Sequence, residues 1–254
     1  MCVIILTTNA LVDFAKFVFV LFYMQQCSAY LKNRYFYNFK FYTMKIEIWS
    51  DIMCPFCYIG KRKFEVALAQ FEHKDTLEIE WKSFLLSPEM QTDPSKTIHQ
   101  FLADHKGISL DEATGMNDNV AHIAAQVGLQ YNFDKTIPAN SFNAHRFLHF
   151  AKQHGKQNEA EELLFKAYFT EGKNIDDAPT LMDVATGLGL DAKAFAAAMG
   201  NGDFTNDVIA DIQEAQALGI QGVPFFVFDR KYAVSGAQDP ATFLETLETV
   251  ASGQ

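Results

Sequence analysis

The sequence predicts an α/β protein in which a large helical domain is inserted between a βαβ unit and a ββα unit. Strand patterns flank a helical pattern at the start, helical periods fill the middle, and strand patterns return near the C-terminus. The chain has 254 residues, of which 49% are hydrophobic, and this is enough for a sizeable core. We expect residues 44–91 and 219–254 to form one domain and residues 92–218 to form the insertion.

The first unit is a strand, a helix and a second strand. Residues 45–50 (KIEIWS) alternate polar and apolar side chains, and residues 77–86 (LEIEWKSFLL) alternate again. Between them, Phe64, Leu68 and Phe71 recur at helical spacing. Strands joined by a helix pair in parallel through a right-handed crossover, so a βαβ unit is expected here.

The middle of the chain is expected to be helical, because three apolar stripes recur there at helical spacing. A glycine stands shortly after each stripe, as is common where helices end. The stripes are Val120, Ile123, Ala124 and Val127, then Ala144, Phe147, Leu148 and Ala151, and finally Leu181, Val184, Ala185 and Leu188, and the glycines are Gly128, Gly155 and Gly189.

The last unit combines two strands and a helix. Residues 223–228 (VPFFVF) and 232–235 have strand character, and a short polar turn separates them. A helix is expected from Pro240, with Phe243 and Leu247 on its apolar face. The order βαβ, helical block, ββα is that of a thioredoxin fold with a large all-helical domain inserted in its middle.

Residues 1–43 differ from the rest of the chain by their many Phe and Tyr residues and by the lack of a clear helical or strand period. Asp13 and Lys16 interrupt the apolar part that a signal peptide requires. The longest apolar run, at 17–24, is far shorter than the roughly 20 residues of a membrane span. We expect the natural protein to begin at Met44, after a mis-assigned upstream segment, and to be cytoplasmic. A degenerate anchor or export signal is the alternative.

The overall charge limits the classes of partner. A formal net charge of −10 disfavours nucleic acid, because the phosphate backbone binds basic surfaces. The absence of a predicted span disfavours a membrane partner. A monomer and a homodimer are both compatible with the sequence.

The cysteines are distributed so that one closely spaced pair serves the whole predicted fold. Cys54 and Cys57 are the only cysteines after Met44, since Cys2 and Cys27 lie in the N-terminal stretch. A single pair is no disulfide scaffold, so it is either catalytic or half of a metal site. Redox chemistry is favoured and no metal is expected, because a closed zinc site needs a second pair of ligands and no further cysteine follows.

The CPFC motif at residues 54–57 stands where the first strand turns into the helix. A thiol reacts as its thiolate, and a helix N-terminus stabilises an anion through free N–H groups and the positive end of the helix dipole. We expect Cys54 to be exposed and to attack, and Cys57, one turn further along, to resolve. Pro55 suits the first helical position because a missing N–H costs nothing there.

A proline opens the first strand of the last unit, in Gly222-Val223-Pro224. A trans proline is tolerated at a strand start. After a CxxC motif in this order of elements, however, we expect a cis bond beside Cys54. The backbone of Val223 would then pair with an extended substrate segment.

These motifs together resemble the DsbA family, and within it the FrnE-like branch, over residues 44–251. The resemblance implies disulfide exchange on protein or small-thiol substrates, with Cys54 as nucleophile, Cys57 as resolver and Pro224 in cis. It implies no cofactor beyond the redox-active disulfide, with glutathione as a candidate co-substrate. The matching stretches are 46–65 (IEIWSDIMCPFCYIGKRKFE), 140–151 (NSFNAHRFLHFA), 167–172 (AYFTEG) and 219–238 (GIQGVPFFVFDRKYAVSGAQ).

The chain also departs from its relatives at specific positions. DsbA has His between its cysteines where this chain has Phe56, so no imidazole stabilises the thiolate and a weaker oxidant than DsbA is expected. Some FrnE relatives carry a further cysteine pair near the C-terminus, which this chain lacks. The sister kappa-class glutathione transferases and hydroxychromene-carboxylate isomerases have serine in place of Cys54.

Two further residues are candidates near the site. In the wider fold a buried carboxylate close to the motif relays a proton to the resolving thiol, and Glu47 is the candidate, although a solvent-facing strand residue fits equally well. His145 lies away from the main stripe of its helix and can face the substrate groove, although structural packing is favoured. With Pro55, Phe56 and Val223, these residues complete the predicted groove.

The leading hypothesis is a cytoplasmic protein disulfide oxidoreductase or isomerase. A reducing thiol pool favours reductase, isomerase or stress-protection roles over oxidative folding. The first alternative is a glutathione-dependent isomerase or transferase, whose activity would survive Cys54→Ser. The second is a redox-independent holdase or binding module built on the Phe-rich helical block, which would need neither cysteine.

Overall fold

The first strand and the first helix form where the sequence predicts them. In the computed structural model, which describes residues 43–253, β1 spans Met44–Ser50 and α1 spans Pro55–Gln70. β2 spans Leu77–Ser83 and is shorter than predicted, because β1 ends at the same level and leaves the following residues without a partner strand. The predictions about the N-terminal stretch fall on residues 1–42, outside the described residues, and stay predictions.

The described residues form a four-stranded sheet in the order β2-β1-β3-β4. β3 spans Phe225–Phe228 and β4 spans Tyr232–Ser235. β1 and β2 run parallel, as predicted, whereas β3 runs antiparallel to both β1 and β4. Val223 and Pro224 precede β3 instead of belonging to it, so this strand is shorter than predicted at its start.

Eight further α-helices lie in the described part of the chain, and the three predicted apolar stripes fall within them or at their ends. Ser109 opens one of these helices with a capping box, in which its hydroxyl accepts the Glu112 N–H and the Glu112 carboxylate accepts the Ser109 N–H. The helices are α2 (Ile98–Lys106), α3 (Leu110–Gln126), α4 (Phe142–Gln153), α5 (Gln157–Phe165), α6 (Ala178–Gly187), α7 (Ala192–Gly200), α8 (Thr205–Ala217) and α9 (Pro240–Ser252), and a π-helical turn, Lys166–Thr170, follows α5.

The two faces of the sheet bury different clusters. Because side chains alternate along β1, Ile46 and Ile48 point towards α1 and α9, whereas Trp49 points towards α8. Phe64 of α1 packs on Phe226 of β3 with ring centroids 5.3 Å apart. By the same alternation, Ser50 points to the face that carries α1, whereas Glu47 points to the opposite face.

The helical stretch contacts the sheet through α5 and α8, which both pack on β2. A third apolar cluster is shared by this stretch and the start of α1, and it includes both cysteines of the motif. The division into residues 44–91 with 219–254 and residues 92–218 stays a prediction. Between residues 43 and 253, no helix is long and apolar enough to cross a membrane.

Candidate active site

The start of α1 positions both cysteines. Cys54 is the N-cap residue, in an extended conformation (φ −87°, ψ 112°), and Pro55 takes the first helical position. The Cys57 N–H donates to the Cys54 carbonyl at 3.0 Å, so the two cysteines are one helical turn apart. Both are free thiols. The Cys54 thiol therefore lies at the positive end of the helix dipole, where a thiolate is stabilised.

Cys54 is more enclosed than the sequence predicts. The exposed fraction of Cys54 is 4%, so the expectation of an exposed Cys54 is wrong. Cys54 is nevertheless more exposed than Cys57, which has an exposed fraction of 0%. Nearby, Tyr131, which lies between α3 and α4, donates its hydroxyl to the Pro55 carbonyl at 2.7 Å. Phe56, with 41% exposure, is the residue of the motif that projects into solvent.

The loop before β3 lies against the motif. The Val223–Pro224 peptide bond is cis. The Cys54 thiol donates to the Val223 carbonyl, with Sγ and O 3.6 Å apart. The Pro224 carbonyl accepts the Gly236 N–H at 2.8 Å, which ties this loop to the end of β4. The structure thus brings the predicted site residues Cys54, Val223 and Pro224 together.

Gly60 sets how closely α1 approaches this loop. A Cβ atom at Gly60 would lie 2.9 Å from Cγ of Pro224, which is closer than side chains tolerate. We expect Gly60→Ala to push α1 and the loop apart and to lower the free energy of unfolding by about 1–3 kcal/mol, as overpacking does. Urea denaturation measures this effect.

Gly115→Ala is the matched control, because Gly115 lies inside α3 and a Cβ there meets no atom within 4 Å. This control should gain about 0.5–1 kcal/mol from helix propensity. Equal and favourable effects of both substitutions would contradict the close approach of Gly60 to Pro224.

A polar group lies directly behind Cys57. Burial raises the pKa of the Cys57 thiol well above its ordinary value and the Cys54 thiol raises it further, whereas hydrogen bonds from the Asp51 backbone and the Ser50 side chain oppose this. The Ser50 hydroxyl donates to Glu161 Oε1 of α5 at 2.8 Å. Burial raises the pKa of Glu161 to about 7. A carboxylate, a hydroxyl and a thiol are therefore connected inside the protein.

Asp51 and His145 lie beside this group. Asp51 is fully buried, and its two oxygens accept the Met53 N–H at 3.2 Å and the Leu86 N–H at 2.7 Å. His145 Nε2 lies 3.6 Å from Asp51 Oδ1. His145 is 1% exposed, so it packs inside the protein behind the motif and does not face an open groove.

Glu47 does not reach the cysteines, and this corrects the sequence-based candidate. Ser50 and Glu47 are three residues apart on β1, so their side chains point to opposite faces of the sheet. Glu47 is 2% exposed and forms an ion pair with Arg230, so it is not solvent-facing either. Its carboxylate belongs to an ion-pair network on the α8 face.

Three residues of this site were missed by the sequence interpretation: Ser50, Tyr131 and Glu161. A signal existed for two of them. Ser50 is separated from Ile46 and Ile48 by even numbers of residues, so strand alternation predicts that all three side chains point to the face that carries α1. Glu161 occupies a helical stripe of buried residues, and a carboxylate in such a stripe is unusual. The other members are Leu164, Phe165 and Tyr168. For Tyr131 there was none, because it lies outside any helix or strand.

Within residues 43–253 no group of three or more His, Cys, Asp and Glu side chains is arranged to hold a metal ion. The groups around the motif are instead those of thiol chemistry: two thiols, one hydroxyl and one buried carboxyl group. Such an arrangement can attack a disulfide and resolve the product.

Comparison with known proteins identifies the family of the chain. The family model of the DSBA-like thioredoxin domain matches residues 45–248. The uncharacterized protein YwbO of Bacillus subtilis is 32% identical over 161 residues, which cover 62% of this chain and 72% of YwbO. The crystal structure of a probable DsbA oxidoreductase from Streptomyces coelicolor is 38% identical, with a TM-score of 0.77, and the match covers 83% of this chain and 91% of that one.

A more distant structure has the same fold. The cytosolic disulfide reductase DsbM from Pseudomonas aeruginosa, solved with GSH, is 19% identical with a TM-score of 0.58, over 82% of this chain and 99% of that one. The family match, the thioredoxin fold with its helical insertion and the paired thiols at the start of α1 agree. The chain belongs to the DSBA-like thioredoxin domain family.

Proposed function

We propose that this protein exchanges disulfides with protein or small-molecule thiols through its CPFC motif, with Cys54 as the attacking and Cys57 as the resolving residue. The observation that supports this most directly is the position of the two thiols: Cys54 caps α1 and faces the Val223 carbonyl, and Cys57 lies fully buried one turn further on. The proposal includes membership of the FrnE-like branch.

The exchange proceeds in two steps. The Cys54 thiolate attacks one sulfur of the substrate disulfide, so that a mixed disulfide forms and the other substrate sulfur leaves as a thiolate. Cys57 then loses its proton and attacks Cys54 Sγ. The Cys54–Cys57 disulfide forms, and the second substrate thiolate leaves. The substrate is reduced by two electrons and the motif is oxidised, while the reverse sequence oxidises a substrate dithiol.

The assignment of roles follows from the environment of each thiol. Cys54 lies at the N-terminus of α1, and Phe56 beside it offers exposed apolar surface to a substrate. Burial raises the pKa of Cys57, which keeps it protonated until a mixed disulfide has formed. Cys54 is the thiol that can meet an incoming disulfide, because Cys57 has no exposed surface.

An extended substrate segment would bind along the loop before β3. The Val223 carbonyl already accepts a hydrogen bond from Cys54, so a backbone segment paired with Val223 would hold its sulfur near the attacking thiol. The Pro224 carbonyl is occupied by Gly236, which leaves Val223 as the residue for substrate pairing.

The partners we propose are thiols and disulfides of proteins and of small molecules such as glutathione. DsbM, which has the same fold, has been solved with GSH, and this supports small-molecule thiols as partners. The catalytic steps above need no prosthetic group, because the two thiols carry the electrons. We propose a cytoplasmic reductase or isomerase role, in which a reducing thiol pool regenerates the motif.

The test is reduction of insulin by glutathione in the presence of the full chain. The protein should accelerate the reaction, and the variant carrying both Cys54→Ser and Cys57→Ser should not. If acceleration persists in that variant, the redox-independent binding module is the better account. If a glutathione-dependent isomerisation or transfer persists in Cys54→Ser alone, the isomerase or transferase alternative is favoured.

A further inference from the structure

A buried carboxyl group of the helical stretch lies within reach of the resolving thiol. We infer that Glu161 accepts the proton of Cys57 through the Ser50 hydroxyl when the mixed disulfide is resolved. This inference rests on the proposed function, because it concerns its second step. It makes the helical stretch a contributor to the chemistry and not only a cover.

Hydrogen bonds through Ser50 connect Cys57 and Glu161. The Ser50 hydroxyl interacts with the Cys57 thiol and donates to Glu161 Oε1 at 2.8 Å. Glu161 is fully buried, so solvent cannot serve as its proton partner. Its second oxygen, Oε2, is also buried and has no hydrogen-bond partner among residues 43–253. Buried carboxylates usually have hydrogen-bond partners on both oxygens, so Glu161 has less stabilisation of its ionised form than a carboxylate with a full set of donors.

The neighbouring charges allow Glu161 to exist in both protonation states. Burial raises its pKa to about 7, whereas the Ser50 hydrogen bond and the charges of His145 from α4 and Lys61 from α1 favour the carboxylate. Asp51, in the turn before α1, opposes ionisation. These are the groups that face Glu161, and a carboxyl group with a pKa near 7 suits proton transfer at neutral pH.

Asp51 is the other buried carboxylate that could accept the Cys57 proton, but both of its oxygens already accept backbone hydrogen bonds. One accepts the Met53 N–H and the other accepts the Leu86 N–H at 2.7 Å. Glu47 is excluded because it lies on the other face of the sheet.

Every proton and bond can be followed through the resolution of the mixed disulfide. The Cys57 proton moves to the Ser50 oxygen, and the Ser50 proton moves to Glu161, which becomes neutral. The Cys57 thiolate attacks Cys54 Sγ, the bond from Cys54 to the substrate sulfur breaks, and the substrate leaves as a thiolate. When a new thiol later opens the Cys54–Cys57 disulfide, Glu161 returns the proton to Cys57 by the same path.

The experiment separates attack from resolution. The full chain carrying Cys2→Ser and Cys27→Ser is reduced and mixed with one equivalent of dithiobis(nitrobenzoate), and release of the coloured thiol is followed by stopped flow. The first release reports attack by Cys54, and the second reports resolution by Cys57. Both are recorded from weakly acidic to weakly basic pH, in the parent, in Glu161→Gln and in Ser50→Ala.

The first release should be nearly equal in all three proteins. The second should rise through neutral pH in the parent, whereas in Glu161→Gln and Ser50→Ala it should lose this inflection and fall by about a hundredfold at neutral pH. Glu162→Gln is the matched control, because Glu162 is the next residue of α5 and its carboxylate binds Lys61 at 2.8 Å, not Ser50. That control should keep both the rate and the inflection.

The outcomes distinguish the two proposals. If the parent shows no first release, the proposed function itself fails. If the first release is normal and the second is unchanged or faster in Glu161→Gln, the inference about Glu161 is overturned, because loss of a nearby negative charge alone would favour the Cys57 thiolate. Circular dichroism confirms that each variant is folded.

Discussion

Replacing Cys54 with serine is expected to reduce disulfide exchange to the rate of the uncatalysed reaction. Cys54 caps α1 and its thiol contacts the Val223 carbonyl in the loop before β3, whereas a serine hydroxyl stays protonated and does not attack sulfur. Exchange of a glutathione-linked fluorescent peptide measures this loss. Folding should be unaffected, because the substitution changes one atom.

Cys57→Ala is the matched variant and should behave differently. Attack by Cys54 remains, but no thiol resolves the product, so mixed disulfides with partners should accumulate. These complexes are visible on non-reducing gels and disappear on reduction. Trapping by Cys54→Ser but not by Cys57→Ala would reverse the assigned roles.

The largest expected effect on stability is that of Asp211→Ala. Asp211 of α8 is 4% exposed, and its carboxylate accepts Lys82 Nζ at 2.9 Å and the Ser83 N–H at 2.9 Å. His149 Nε2 lies 3.1 Å from the same carboxylate. Removing one partner of a buried pair costs about 3–5 kcal/mol, and the lower end applies because Glu214 remains 3.2 Å from Lys82. Urea denaturation measures the loss.

The effect of Asp211 should also depend on pH. Burial opposes its ionisation, but the hydrogen bonds from His149, the Ser83 N–H and Lys82 prevail and lower its pKa. A lowered folded-state pKa means that the stabilisation is present above the unfolded value of about 3.9 and is lost as the pH falls through the folded value. The difference between wild type and Asp211→Ala should therefore shrink in acid.

Asp207→Ala serves as the control, because Asp207 is exposed one turn earlier on α8. Its loss should cost no more than about 1 kcal/mol, the value of a carboxylate near a helix N-terminus. An equal loss in both variants, or a loss for Asp211→Ala that persists unchanged in acid, would contradict the role assigned to the buried carboxylate.

Much of the fold is readable from local patterns. Alternation in residues 45–50 gives β1, the spacing of Phe64 and Leu68 gives α1, and Pro55 marks the start of that helix. The two cysteines are found because a CxxC at a strand-to-helix junction is itself a local signal. These features depend on neighbours in sequence, which is why they are predictable.

The remainder of the site depends on contacts between distant segments. Glu161 meets Ser50 across 111 positions of sequence, and Tyr131 reaches Pro55 across 76. Periodicity places Ser50 and Glu161 on buried faces, but it does not show that two such distant residues meet. The sequence therefore pointed to Glu47, a carboxylate close to the motif along the chain. Strand alternation argued against that choice, because it places Glu47 and Ser50 on opposite faces.

The most direct test of the account is redox equilibration of the full chain in glutathione buffers, followed by alkylation and peptide mapping. We predict a reversible disulfide between Cys54 and Cys57, with a midpoint potential more reducing than DsbA's value of about −120 mV, because Phe56 provides no imidazole to stabilise the thiolate. A motif that never forms this disulfide while exchange activity persists would contradict the central claim.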